Sequence, residues 1–412
     1  MTTNVRSERG FTLIEALVAT TIMVVVTGAV FSILNPASGS FKTQPEMSDM
    51  QQRLRVGADE LKHDLMNAGA GSYSGLNDTL VSQRARSLAN YFAPIMPFVQ
   101  SADTNDDGQG VFKTNRITII YVPSTATQTS LSTSMTSTST AQIQVNAESG
   151  CPLKVGTTAA DPLCGFKANV TKAVIYDGTG AFDTFIVTAV DESTANLDLQ
   201  HTQQGTFSKA YLVPSRISEI AYSAYFLNTT TNQLMHDDGI SAAVPVLDNV
   251  VGLDFEYYGD PLPPAFLKPN TADFSTTYGP APPGFNVTTP ALGENCMWQA
   301  QGTGSNQAYV SKLAAMGPGG NGLVKLTAAN LTDGPWCPDA NNSNRYDADL
   351  LRIRKIRVTL RLQSGNASVR GSLTTGADAL FTNAGTATTA SKTVPDQSIR
   401  FDVSPRNLNL GR

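Results

Sequence analysis

Between Phe11 and Leu34 the chain is apolar on every side of any helix it could form, interrupted only by Glu15, one glycine and a few hydroxyls. Rising ~1.5 Å per residue, a helix over these 24 residues is about 36 Å long, enough to cross the ~30 Å hydrocarbon core of a bilayer. The pattern changes beyond Asn35-Pro36-Ala37-Ser38-Gly39-Ser40, where a proline without a backbone donor should weaken or bend the helix. Met47, Met50, Leu54, Ala58, Leu61 and Leu65 then recur at spacings of three and four, with Asp49, Gln52, Arg53, Asp59, Glu60, Lys62 and Asp64 between them. That is an amphipathic helix with one packing face. Asn67-Ala68-Gly69-Ala70-Gly71 supplies its glycine stop.

From Ala70 onward helical periodicity is scarce. Arg116–Val122, Ala173–Tyr176, Phe182–Val190 and Ile217–Leu227 are rich in β-branched and aromatic residues between turn formers and predict strands. Val251-x-Leu-x-Phe-x-Tyr alternates as a half-buried strand does. In Leu351–Leu362 the alternation slips near Arg354 and Lys355, which fits a β-bulge or a helical turn leading into the strand, and leaves Arg352, Arg354, Arg357 and Arg361 as a basic outward face. Ser124–Ala141, almost only Ser, Thr, Gln, Ala and Met, reads as a mobile surface loop. The fold class expected is α+β: a long N-terminal helix packed on an antiparallel β-sheet head with long loops. The divisions are a leader at 1–10, a membrane helix at 11–34, an amphipathic half at 35–69 and a β-rich head at 70–412, with an insertion around 259–349 as one further reading.

Composition narrows this. Charged residues make up 15% of the 412, well below the ~25% of ordinary soluble domains. Removing the first ten residues takes away two arginines and one glutamate, moving the formal net charge from −5 to −6. An acidic chain argues against a general electrostatic attraction to nucleic acid, though not against a local patch. Four cysteines form two sequence-local pairs, Cys151 with Cys164 and Cys296 with Cys337. In an oxidising compartment they read as two disulfides, each contributing ~3 kcal/mol, with all three pairings open. No Cys-x-x-Cys is present and no histidine lies near a cysteine, which disfavours zinc.

Glu15 stands out, because a carboxylate inside an apolar span is costly and calls for a partner or a function. Gly10-Phe11-Thr12-Leu13-Ile14-Glu15, followed by the apolar run and preceded by Arg6 and Arg9, resembles the class III signal of type IV pilins and pseudopilins. The resemblance implies cleavage between Gly10 and Phe11 by a prepilin peptidase, methylation of the new Phe11 amine, and neutralisation of that amine by Glu15 of an adjacent subunit. The main competitor is a secretory signal peptide, whose faint cleavage site would be Asn35-Pro36-Ala37-Ser38. Basic residues before the span place the leader in the cytoplasm and the head outside, and the resemblance implies the inner membrane first and a pilus or the cell surface as the destination.

Gln233-Leu234-Met235, Val244–Tyr258, Leu351–Leu362 and Ser404–Leu408 resemble PilW-type minor pilins and, more distantly, the J-type pseudopilin of type II secretion. The expectation is therefore a non-enzymatic minor pilin whose partners are other pilin subunits. A secretion pseudopilin, an anchored adhesin and a DNA-binding head are the alternatives.

No cofactor is required by the sequence. Asp103, Asn105 and Asp107 place oxygens as the front half of a calcium loop does, with Gly108 at the turn, but Thr114 stands where the bidentate acid should be. A turn of Asp, Asn and Gly is the plainer reading. Gly317-Pro318-Gly319-Gly320-Asn321-Gly322 follows no strand and opens no helix, so it reads as a loop. His63, His201 and His236 sit in no recognised catalytic motif, and surface or capping roles are expected of them.

Overall fold

In the computed structural model, the described residues are 10–70, 93–100, 107, 110–123, 127–136, 141–143, 150–176, 182–193, 196–202, 207, 209–213, 215–263, 297–303, 308–317, 322–337, 345–376, 378–389 and 393–409. One α-helix, Leu13–Asn67, is followed by strands in antiparallel ladders, so the α+β class with a long N-terminal helix holds. The helix is continuous through Pro36, whose expected effect does not interrupt it. It stops after Asn67 at Gly69, which takes φ +70° and whose Cβ, were there one, would press on Pro94 and Leu408.

The chain divides into two compact units. The first joins Met1–Leu54 to Leu362–Gln397. Within it, Met50 packs with Val369 and Val394, and the Ser364 hydroxyl donates to the Glu46 carboxylate at 2.9 Å. Among the described residues of segment 363–396 there is no strand; they are held by backbone bonds such as Val394 N–H to the Val369 carbonyl at 2.7 Å.

The second unit, Arg55–Arg361 with Ser398–Arg412, receives the helical stripe of Ala58, Leu61, Leu65 and Ala68, all buried. Gly57 lets the helix approach closely: a Cβ there would lie 2.8 Å from Leu247 Cδ2. A five-stranded sheet runs Ile95–Met96, Arg116–Tyr121, Ala221–Asn228, Gln233–Asp237, Val244–Asp248. A six-stranded sheet runs Gln128–Ser130, Arg216–Glu219, Lys172–Tyr176, Phe182–Ser193, Asn196–Thr202, Ala141–Ile143. The run Ile217–Leu227, expected as one strand, is two: it changes sheet at Ile220, giving Arg216–Glu219 to one ladder and Ala221–Asn228 to the other.

Ser124–Ala141 is also not simply a loop. Gln128–Ser130 pairs with Arg216–Ser218, while Leu131 and Met135 are buried in the core of the six-stranded sheet. Threonine suits a strand, and two apolar side chains four apart are enough to pin a polar run to a core. The Cys151–Cys164 disulfide is buried in that same core.

The four-stranded sheet orders Val324–Leu326, Val250–Gly259, Ile353–Leu362, Gln397–Val403. Its two central strands run antiparallel, since Gly252 lies against Arg361 and Gly259 against Arg352. A 3₁₀ segment, Ala348–Arg352, leads into the strand, but the slip itself lies inside it: Arg354 and Lys355 are both half-buried between buried Ile353 and Ile356, and from Ile356 the buried positions alternate strictly.

Candidate functional site

At the N-terminus, Thr12 and Glu15 form a reciprocal capping box. The Thr12 backbone N–H and hydroxyl both donate to Glu15 Oε2, at 3.1 and 2.9 Å, and the Glu15 N–H donates to Thr12 Oγ1 at 3.4 Å. Thr-x-x-Glu ahead of an apolar run is the sequence sign of this box, and it supplies Glu15 with a partner inside its own chain. A carboxylate offers about four lone-pair sites, so capping leaves capacity for a second donor. Along Leu13–Ile33, Leu13, Ile14, Leu17, Ile22, Met23, Val24, Val25, Phe31 and Ile33 are all exposed, and the segment is long and apolar enough to cross a membrane. Gly10 and Phe11 are exposed, Phe11 at 87%.

Residues 5–31 match the model of the prokaryotic N-terminal methylation motif. That stretch contains Gly10, Phe11, Thr12 and Glu15, so the N-terminal segment carries a type IV pilin-like signal. Comparison with curated proteins and with solved structures returned no match.

Of the anticipated calcium loop, Asp103 and Asn105 lie outside the described residues. Asp107 is described, and its Oδ1 accepts from Arg116 at 3.1 Å. Cys337 is disulfide-bonded, as is Cys151 to Cys164; Cys296 lies outside the described residues.

The basic strand face is not the open platform its spacing suggests. Arg352 is fully buried: it donates to Asp349 through Nε and to the carbonyls of Pro261 and Ala314 at 3.1 and 2.5 Å. Arg354 pairs with Asp260 at 2.8 Å. Arg357 forks onto both oxygens of Asp402, at 2.6 and 3.1 Å, with Lys355 on the same carboxylate at 3.1 Å. These cations, Arg357 foremost, hold the Asp402 carboxyl down to about 2. On the next strand Glu256 is engaged by Lys325 and, at 3.0 Å, by Arg400. Arg357 and Lys355 thus answer an acid of the neighbouring strand, the arrangement that stabilises cross-strand pairs, while Arg352 and Arg354 pair with acids outside the strands.

Two clusters went unread in the sequence. In the first, Asp64 of the helix takes the hydroxyls of Ser223 and Tyr225 on one oxygen, at 2.5 and 2.8 Å. His236 Nε2 lies 2.9 Å from Ser223 Oγ and its ring stacks on Tyr225 at 4.8 Å. They line a cavity of about 460 Å³ with Glu60, Lys172 and Tyr222. Burial, then the Asp64 charge, pushes the Tyr225 phenol far above its ordinary range, so it stays a donor. The types match a serine nucleophile set, but the wiring does not: the acid accepts the serine proton directly instead of orienting the histidine. His236 lies on the strand Gln233–Asp237, and the capping expected of it belongs to Asp237 and Asp238, which accept from Gly239, Ile240 and Ser241 N–H groups.

In the second, Asp333, Asp347 and Asp349 bring carboxylate oxygens within 4.8 Å of one another. Asp347 accepts from the N–H groups of Asp349 and Gly334, at 2.8 and 2.7 Å, which fold the chain around it. Burial raises Asp347 to about 6, and raises Asp349 to about 7 against the opposing pull of Arg352. Asp-x-Asp three residues before an arginine was the available signal, but Asp333 joins only through the pairing of Trp336–Cys337 with Tyr346–Asp347.

Proposed function

We propose that this chain is a minor pilin-like subunit of the PilW type, a non-enzymatic protein that enters a type IV pilus through its N-terminal helix. The observation that carries the reading is one helix with two kinds of surface. Its first part combines the methylation motif with apolar side chains exposed all round, and its second part buries a single stripe in a β-rich head. Such a helix suits storage in the inner membrane and later packing against like helices, where apolar surface is covered by partners. Prepilin peptidase is the first partner, cutting after Gly10 and methylating Phe11. Other pilin subunits are the second, with Glu15 accepting the charged Phe11 amine of a neighbour because an unpaired charge in an apolar bundle is costly.

Mass spectrometry of the N-terminus from the native host should find N-methyl-Phe11; an intact Met1, or a cut after Ala37, overturns the reading. Glu15→Ala should leave cleavage unchanged and abolish incorporation into filaments. Thr12→Ala separates this role from capping: it removes the box but keeps the carboxylate, so it should assemble far better than Glu15→Ala. Equal defects would reduce Glu15 to a cap. Deleting the gene should remove pili; loss of protein secretion with pili intact would instead make the chain a pseudopilin. The internal pairing of Arg352, Arg354 and Arg357 counts against the alternative of a DNA-binding head.

A further inference from the structure

The long connection 260–352, between the two central strands of the four-stranded sheet, is tied back to the sheet at one polar knot. Arg352 is 0% exposed and donates to the Pro261 and Ala314 carbonyls, at 3.1 and 2.5 Å, and to Asp349 Oδ1. The Pro261 carbonyl also takes the Met316 N–H at 2.7 Å. Asp347 draws in a further part of the connection by accepting the Gly334 N–H at 2.7 Å, beside an Ala348 N–H bond to the Pro335 carbonyl at 2.9 Å. The start, middle and end of the connection thus depend on Arg352 and two acids.

Those acids are crowded. Asp347 and Asp349 are buried, at 1% and 5% exposure, and their carboxylate oxygens lie within 4.8 Å of each other and of exposed Asp333. Two buried carboxylates this close resist ionising together, because each gives up its hydration and meets the other's charge. Arg352 offsets one negative charge, so one proton shared by the two acids leaves these three side chains neutral, and its loss leaves them net negative. The other charges around the pair belong to different elements. Lys312 and Lys325 line a cavity of about 590 Å³ with Asp333 and Asp349, and Lys325 is itself held by Glu256. Asp260 pairs with Arg354, and Arg345 lies over the ring of Trp336, the cross-strand partner of Asp347.

We propose that Asp347 and Asp349 form a proton-operated latch: sharing a proton they hold the connection closed on Arg352, and fully ionised they repel and let it open. Burial raises both carboxyls, Asp347 to about 6 against the N–H groups it accepts, and Asp349 to about 7 against the pull of Arg352. Both lie above the ordinary 3.8, so the stability they contribute is present in acid and is lost as pH rises through about 6 to 7. The latch is firm in mild acid and loosened in mild alkali.

The test is hydrogen exchange by mass spectrometry on the full chain in detergent, each rate divided by the intrinsic chemical rate at that pH. A displacement of one pKa unit is about a tenfold change in equilibrium, so opening should rise at least ~tenfold between about pH 5.5 and about pH 8. The rise should appear in peptides spanning Leu313–Met316, Val324–Leu326 and Trp336–Cys337, and not in Lys172–Tyr176 of the six-stranded sheet. Asp349→Asn keeps an acceptor for Arg352 but cannot ionise, so it should show the acid level of exchange at both pH values. Asp333→Ala removes a neighbouring charge that raises both carboxyls and should shrink the rise. Equal protection of wild type at both pH values overturns the latch. So does a rise that Asp349→Asn retains in full, or one shared equally by Lys172–Tyr176. Should Asp349→Asn fail to fold, Asp333→Ala decides, and an unchanged rise there overturns the latch as well.

Discussion

The helix Leu13–Asn67 carries two apolar stretches that end in opposite circumstances. In Leu13–Ile33 the large side chains remain exposed, Leu17 at 60% and Ile33 at 72%, while Leu61 and Leu65 farther along are at 0%. The difference lies in distribution rather than in residue type. The first stretch is apolar around its circumference, so no single surface of its own chain can cover it. The second interleaves apolar and charged positions at helical spacing, so one face is satisfied by a sheet and the other by water. The first stretch therefore contributes to assembly and the second to folding, and substitutions should divide the same way.

Leu61→Ala gives the largest effect. Removing a fully buried leucine should cost about 3 kcal/mol through lost transfer energy and the cavity left behind. Urea unfolding of the full chain in detergent, followed by far-ultraviolet circular dichroism, should show a clearly lowered midpoint. Leu17→Ala, the same chemistry in the exposed stretch, should leave that midpoint where it was. Matching shifts in the two variants would erase the distinction between the stretches.

Asp64→Ala comes next and probes the polar edge of the packing face. Its carboxylate is the acceptor for Ser223 and Tyr225; Ser223 keeps His236 as an alternative, while the Tyr225 phenol is left beside the Ser223 hydroxyl. One orphaned, largely buried hydroxyl costs roughly 2 kcal/mol. Tyr225→Phe in the Asp64→Ala background should recover part of it, since it removes the group left unpaired. If the double variant is less stable than Asp64→Ala alone, the hydroxyl has found another partner and the argument fails.

The contrast between stretches was legible from residue order, because period and composition act over a few neighbouring positions. Leu54, Leu61 and Leu65 were placed on the packing face from spacing alone, and the capping pair Thr12 and Glu15 is likewise local. What stayed hidden depends on distant chain segments. Asp64 and Ser223 lie 159 residues apart, and nothing near either announces the other. The arginines of Ile353–Leu362 were visible as a basic face, but their meaning changed once Glu256 and Asp402 arrived on adjacent strands. Composition misled at Ser124–Ala141, where Leu131 and Met135 outweigh the surrounding Ser and Thr because burial of two side chains decides where the backbone goes.

Gly57→Ala is the smallest effect expected and the most discriminating about how tightly the second stretch is seated. Replacing a mid-helix glycine by alanine gains ~1 kcal/mol of propensity. Against that, the new Cβ would sit 2.8 Å from Leu247 Cδ2 and 3.5 Å from Leu360 Cδ2. The near atom is the terminal methyl of a leucine, which can turn aside more cheaply than backbone could, so strain of about the same size should offset the gain. Net stability should stay within ~0.5 kcal/mol of wild type by the same urea assay. A gain approaching 1 kcal/mol would mean that Leu247 yields freely. A loss near that of Leu61→Ala would mean that it cannot move, making the glycine itself the condition for this helix to reach the sheet.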